Sequence, residues 1–324
     1  MTIDSASTAR DSSTRTPLGA SGIEVFPLSL GGNVFGWTSG RQTSVDVLDG
    51  YVAAGGNFID TADSYSAWVP GNKGGESETI IGEWLSRRSD RDDVVVATKV
   101  SRHPEFQGLA PDTVRAAARA SLARLRTDRI DLYYAHFDDD AVSIEDIARV
   151  FSELVDEGLV RAIGVSNFSA DRIAQWLRFA SEEGLHAPVA LQPHYNLVER
   201  GIEADLLPLA REHGLAVVPY YALASGFLTG KYRDGSTPDS PRASGAAQYL
   251  DARGRRVLAA LDAVAEAHGA EVATVALAWL RSQPGVVAPI ASARVMEQLP
   301  ALVASATLVL GDDELASLDE ASRS

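Results

Sequence analysis

Lysine occurs only at Lys73, Lys99 and Lys231 in this 324-residue chain, where arginine carries nearly all the positive charge. Lys99 directly follows the apolar run Val94-Val95-Val96-Ala97-Thr98, which places its ammonium at the end of a buried segment. Burying an unpaired ammonium costs several kcal/mol, so a partner is required. Asp60, closing Phe58-Ile59-Asp60 one apolar run earlier, is the natural one. His136 closes a third run, Tyr133-Tyr134-Ala135-His136. An ammonium, a carboxylate and an imidazole at one rim shift one another's protonation and move protons. Each also has a plainer reading. Lys99 could snorkel or serve a structural ion pair, Asp60 could cap a turn, and His136 could be a satisfied, partly buried histidine. Asp60 and His136 as metal ligands are disfavoured. The chain has no H-x-H or H-x-x-E-H pair, and a buried lysine would repel a cation. No metal is expected.

The elements that must hold these residues alternate along the chain. Short apolar, β-branched runs at 26–30, 58–60, 94–98, 130–135, 162–165, 189–192, 216–219 and 286–290 mostly lack polar alternation, as in parallel strands buried on both faces. Helical patterns lie between or beside them at 44–54, 77–86, 111–125, 143–157, 170–183, 202–213, 250–268 and 272–282. Eight such units predict an α/β fold, a (β/α)₈ TIM barrel, with residues 18–23 forming an N-terminal β-hairpin that caps the barrel bottom. An open doubly wound sheet is the rival, weakened because no G-x-G-x-x-G follows an early strand. In a barrel, chemistry gathers where strands end at the C-terminal rim. The polar residues there are Asp60, Lys99, His136, Ser166, Asn167, Gln192 and Tyr220.

Composition narrows the function. A 45% hydrophobic and 23% charged chain suits a globular enzyme. A net charge of −15 opposes nucleic acid and anionic membrane. Cysteine is absent, which removes disulfides, thiolate nucleophiles and thiolate metal sites. The polar N-terminus has no signal-peptide pattern and no apolar run is long enough to span a membrane, so a cytoplasmic location is expected. Residues 1–15 read as a disordered tail and 16–324 as one domain.

Taken together, these residues resemble the aldo-keto reductase family from about Leu18 to Leu318. Gly55-Gly56-Asn57-Phe58-Ile59-Asp60-Thr61-Ala62-Asp63-Ser64-Tyr65, Ala97-Thr98-Lys99, Tyr133-Tyr134-Ala135-His136, Ile163-Gly164-Val165-Ser166-Asn167-Phe168, Gln192-Pro193-His194-Tyr195-Asn196 and Ser225-Gly226-Phe227-Leu228-Thr229-Gly230-Lys231-Tyr232 are similar to its motifs, in order. The last string and Gly74-Gly75-Glu76-Ser77-Glu78 are most similar to the bacterial branch related to potassium-channel β subunits.

The resemblance implies an oxidoreductase that interconverts carbonyls and alcohols with NADP(H) and needs no Rossmann fold. It implies Asp60, Tyr65, Lys99 and His136 as catalytic residues, with Tyr65 as general acid. Ser166, Asn167 and Gln192 match residues that hold the nicotinamide carboxamide, Tyr220 the aromatic stacked on the ring, and Gly32 and Asn33 the loop near its ribose; Asp60 belongs to the cofactor set too. Leu223, Ser225, Gly226 and Lys231 match the pyrophosphate segment, though Lys231 could be a solvated loop residue. Arg242 aligns near the adenosine phosphate, and Ser292, Arg294 and Gln298 match the 2′-phosphate segment. Departures are Ala291-Ser292 for Pro-Gly, Ala301 and Leu302 at common adenine contacts, and Tyr221-Ala222 for Ser-Pro. Substrate contacts are expected from Trp37, Tyr65, Trp68 and His136, with Trp37 and Trp68 equally readable as loop anchors. Loops 66–75 and 236–247 are expected to be mobile. A small carbonyl or alcohol is the expected partner, in a monomer or homo-oligomer. A regulatory cofactor-sensing subunit of the channel-β type is the alternative.

Overall fold

The computed structural model describes residues 15–233 and 243–323. A two-stranded antiparallel hairpin, β1 (Thr16–Pro17) and β2 (Glu24–Val25), leads into β3 (Ser29–Gly31). Then come β4 (Phe58–Asp60), β5 (Val95–Val100), a small hairpin of β6 (Arg102–His103) and β7 (Phe106–Gln107), β8 (Leu132–Ala135), β9 (Ile163–Ser166), β10 (Pro188–Gln192), β11 (Ala216–Val217) and β12 (Ile290–Ala291). Eight of these make one parallel sheet in the order β11-β10-β9-β8-β5-β4-β3-β12. Its two edges meet. Val217 N–H donates to Gly285 O (2.9 Å), Val287 N–H to Val217 O (2.9 Å) and Ile290 N–H to Pro219 O (2.9 Å), joining β11 to the segment that runs into β12.

Period-two alternation divides the strand residues between two cores. Phe58, Val95, Ala97, Leu132, Tyr134, Ala162, Ala190 and Ala216 form one buried cluster inside the curled sheet, joined by Leu18, Ile23 and Val25 of the N-terminal hairpin region. Ile59, Val94, Val96, Tyr133, Ile163 and Val165 point the other way, into the larger core against the helices. The interior is filled. A Cβ on Gly164 would lie 2.4 Å from the ring of Tyr134, so the glycine makes room for that ring.

The helices are α1 (Arg41–Ala53), α2 (Glu76–Leu85), α3 (Pro111–Leu125), α4 (Ile144–Asp156), α5 (Ala170–Glu183), α6 (Leu206–His213), α7 (Ala243–Ala247), α8 (Ala252–His268), α9 (Val272–Ser282), α10 (Leu299–Ala304) and α11 (Asp312–Ser322). Local sequence sets their ends. Ser143 caps α4 by accepting from Asp146 N–H (3.1 Å), and left-handed glycines stop α5 (Gly184) and α6 (Gly214).

The structure adjusts several expected boundaries. The helix expected over 202–213 is a short 3-10 turn, Gly201–Ala204, and then α6, separated by Asp205 at φ −138°. Helix α1 begins three residues before the expected Ser44. Part of the loop expected over 236–247 is α7, while 236–242, including Arg242, lie outside the described residues, as do residues 1–14 of the expected tail. The 66–75 loop is tied down: Ser66 Oγ donates to Phe35 O (2.8 Å), and Asn72 Nδ2 donates to Gly36 O (3.2 Å) and Ser66 O (3.0 Å). The β6–β7 hairpin, α10 and α11 were not foreseen.

Asn57 stitches the hairpin to β4. Its Oδ1 accepts from Phe26 N–H (2.8 Å) and its Nδ2 donates to Glu24 O (3.0 Å). Asn57→Ala leaves Phe26 N–H buried without an acceptor, and the expected loss is about 1–3 kcal/mol in urea unfolding. An unchanged midpoint would show that the stitch contributes nothing.

Candidate active site

Strand register carries the polar residues to one end of the sheet. Gly31 pairs with Asp60, Asp60 with Ala97, Lys99 with Tyr134, and Gln192 with Ser166. Asp60 continues the inward face of Phe58, Lys99 that of Val95 and Ala97, His136 that of Leu132 and Tyr134, and Gln192 that of Ala190. The polar set is therefore the top interior layer, where barrels place their chemistry.

Lys99, with no exposed surface, donates from Nζ to Asp60 Oδ2 (2.7 Å), Thr61 O (2.7 Å) and Tyr65 Oη (2.9 Å). Three acceptors satisfy all three ammonium protons. Burial pulls this lysine below its ordinary value, and the Asp60 carboxylate opposes the pull. Asp60 Oδ1 accepts from Gln192 Nε2 (2.8 Å), so both carboxylate oxygens are engaged. Tyr65 reaches Lys99 from the turn after β4, with its ring 6.2 Å from those of His136 and Trp68. Desolvation holds His136 well below the usual imidazole range, with Lys99 and then Arg102 adding to the effect. A neutral imidazole has one N–H donor and one acceptor nitrogen.

A second network holds the amides. Ser166 Oγ donates to Gln192 O (2.9 Å). Asn167, left-handed at φ 56°, donates from Nδ2 to His136 O (2.9 Å) and Ser166 Oγ (3.0 Å) and accepts from Tyr220 Oη (2.7 Å). His194 stacks behind Tyr220 at 5.3 Å. Left-handed residues Tyr221, Ala224, Ser225 and Gly226 follow, at φ 52°, 47°, 57° and 92°. For non-glycine residues that conformation costs about 1–2 kcal/mol each, and such strain concentrates at functional loops.

A cavity of about 970 Å³ runs over these residues. It is lined by the aromatic group Trp37, Tyr65, Trp68, His136 and Phe137. Asp60, Ser166, Asn167, Gln192 and Tyr220 line it too, as do Leu223, Ser225, Gly226, Lys231, Ser292, Arg294 and Gln298. Asn33 also lines it, held by a 2.7 Å Ser292 Oγ–Asn33 Oδ1 hydrogen bond. Gly31 lines it where Gly32 was expected. Gly32 donates its N–H to Asp60 O (2.7 Å) and packs so that a Cβ would lie 2.8 Å from Ser77 Oγ. Gln298 spends its side-chain oxygen on Arg294 N–H (2.8 Å). Trp37 and Trp68 meet edge to face at 5.5 Å, and Trp68 stays half exposed. Phe137, Tyr221 and Glu271 also line the cavity and were missed. Phe137 follows the histidine and could have been suspected from that position; Glu271 lies far along the chain and gave no signal.

The donor set fits a ligand that carries both a polar amide and phosphates. Amide side chains sit beside Tyr220, and the lining also holds the cations Lys231 and Arg294.

This fold and site define a barrel oxidoreductase, and the chain belongs to the aldo/keto reductase family, whose model matches residues 27–323. Members of that family generally use NAD(P)(H). The chain is 32% identical to norsolorinic acid reductase B of Aspergillus parasiticus, covering 93% of this chain and 82% of that one. It is 34% identical to norsolorinic acid reductase stcV of Emericella nidulans (92% and 79% covered) and 32% identical to protein tas of Escherichia coli (92% and 94% covered). Among the described residues no helix is long and apolar enough to cross a membrane.

The site gives a pH expectation. His136 binds a proton less readily folded than unfolded, where its pKa is about 6.5. Below that value the unfolded chain takes up the extra proton, so stability falls as pH drops. The urea midpoint is expected to fall between pH 7 and pH 5, and to fall less in His136→Gln. Equal pH dependence in the two proteins would count against a buried neutral imidazole.

Proposed function

We propose that this protein is an NADP(H)-dependent reductase of aldehydes or ketones, with Tyr65 as the proton donor to the carbonyl oxygen. One observation carries the reading: the buried Lys99 ammonium is hydrogen bonded at once to the Asp60 carboxylate and the Tyr65 hydroxyl. A free phenol has a pKa of about 10, too high to release a proton readily near neutrality. An ammonium 2.9 Å from the oxygen favours the phenolate and so eases that release. Asp60 keeps Lys99 charged in a place where burial works against the charge. A neutral His136 suits donation of a hydrogen bond to the carbonyl oxygen beside Tyr65, stabilising the developing alkoxide. When bound, the nicotinamide supplies the hydride.

Ser166, Asn167 and Gln192 would hold the carboxamide of that ring and Tyr220 its face. Asp60, Gly31 and Asn33 would lie near the ribose, and Leu223, Ser225, Gly226 and Lys231 along the pyrophosphate. Arg294, with Ser292 and Gln298, would take the 2′-phosphate, which the guanidinium fork suits. Trp37, Tyr65, Trp68 and His136 would surround the substrate. Residues 16–324 act as one domain, and the N-terminal hairpin closes the barrel end opposite the cavity. The reductase names of the norsolorinic acid relatives support reduction as the direction. The acidic charge favours a small-molecule partner over nucleic acid or membrane, in the cytoplasm, as a monomer or homo-oligomer.

The test is NADPH oxidation followed by absorbance over a panel of carbonyls. Turnover is expected; tight cofactor retention with no turnover would favour a sensing subunit of the channel-β type. Tyr65→Phe is expected to lower kcat by about 10²-fold or more while NADPH still quenches tryptophan fluorescence. Normal reduction by that variant would remove Tyr65 as the acid. Arg294→Ala should weaken NADPH far more than NADH in the same titration, and equal losses would remove the 2′-phosphate contact.

A further inference from the structure

The β6–β7 hairpin stands at the rim between the strand that carries Lys99 and the strand that leads to His136. Its first residue, Arg102, is exposed, and its guanidinium lies 4.0 Å above the centre of the Phe137 ring. Phe137 lines the cavity, and its ring is 4.9 Å from that of His136. The guanidinium is thus two successive ring contacts from the imidazole, and its charge is felt there.

Two of the three acidic residues that follow Phe137, Asp138 and Asp139, are committed elsewhere. Arg172 holds both oxygens of Asp138 at 2.8 Å, and Asp139 Oδ2 accepts from Leu109 N–H at 2.9 Å. Among the described residues no carboxylate is hydrogen bonded or ion paired to the Arg102 guanidinium. In a chain with a net charge of −15, an arginine with no carboxylate partner, set on the face of a ring that lines the cavity, is placed to meet an anion. The guanidinium rests on the Phe137 face, and such a group recognises a carboxylate bidentately through its N–H fork. Trp37 and Trp68 line the same cavity as Phe137, edge to face at 5.5 Å, a setting that suits a flat ring.

We propose that Arg102 anchors an anionic group on the substrate, and that the site takes an aromatic carbonyl compound bearing a carboxylate. The proposal rests on the reductase reading and narrows its substrate class. The reaction is unchanged: NADPH is oxidised to its NADP form, the carbonyl carbon gains the hydride and its oxygen gains the proton. The carboxylate takes no part in bond making.

The probes are 4-carboxybenzaldehyde and its neutral counterpart, methyl 4-formylbenzoate, assayed by NADPH oxidation. The wild type is expected to favour the acid in kcat/KM. Arg102→Gln is expected to lower the acid-to-ester ratio at least tenfold, through KM for the acid, and Arg102→Lys to restore part of it. Added salt should erode the ratio in the wild type and leave it flat in Arg102→Gln. A merely structural arginine would lower both substrates together and keep the ratio, and that result, or a wild-type preference for the ester, overturns the proposal. A binding arm separates the two readings. Tryptophan quenching by 4-(hydroxymethyl)benzoate, with oxidised cofactor present, should be lost in Arg102→Gln. If it is lost while neither aldehyde is turned over, the anchor stands and the reductase reading falls.

Discussion

The structure turns on a single buried ion pair. Lys99 and Asp60 sit on neighbouring strands with almost no exposed surface, 2.7 Å apart. Removing either would leave the other charged and uncompensated, which is far more costly than losing the contact itself. That constraint fixes much around it. The Thr61 carbonyl and the Tyr65 hydroxyl complete the ammonium's bonds, and Gln192 completes the carboxylate's. Through Gln192, Ser166 and Asn167 the restraint extends to Tyr220, which lines the same cavity. The reactive centre and the amide network are therefore one hydrogen-bonded assembly.

A second layer of support lies behind Lys99. Thr98, which points away from the cavity, donates to Glu78 Oε1 (2.5 Å), and Glu78 Oε2 accepts from Arg124 Nε (2.6 Å). Helices α2 and α3 are thereby tied to β5 by charged groups at the depth of the site. Asp63, buried beside this group, is raised well above the usual carboxylate range by desolvation and by Glu78.

The catalytic candidates were legible in the sequence because burial and polarity coincide there. A rare lysine, an aspartate and a histidine each end an apolar run, and parallel register converts such run ends into one rim. The interior strands were legible for the same reason. Other parts were not. The β6–β7 hairpin strands are two residues each, too short to show a period. Helix α11, with the sequence DDELASLDEAS, has few apolar residues to mark its buried face. Trp37 and Trp68 were readable equally as anchors or as contacts, and only the placement of both on the cavity wall shows them together. Arg102 carries no sequence signal, because its meaning comes from lying over a ring 35 positions further along.

Below the site, Tyr134 fills the interior against Gly164, on the neighbouring strand, with no space for so much as a methyl group between them. These two positions amount to a single allotment of volume, so change at one is admissible only with an answering change at the other. A lineage carrying this barrel can enlarge neither side of that contact alone, so this part of its floor changes in pairs.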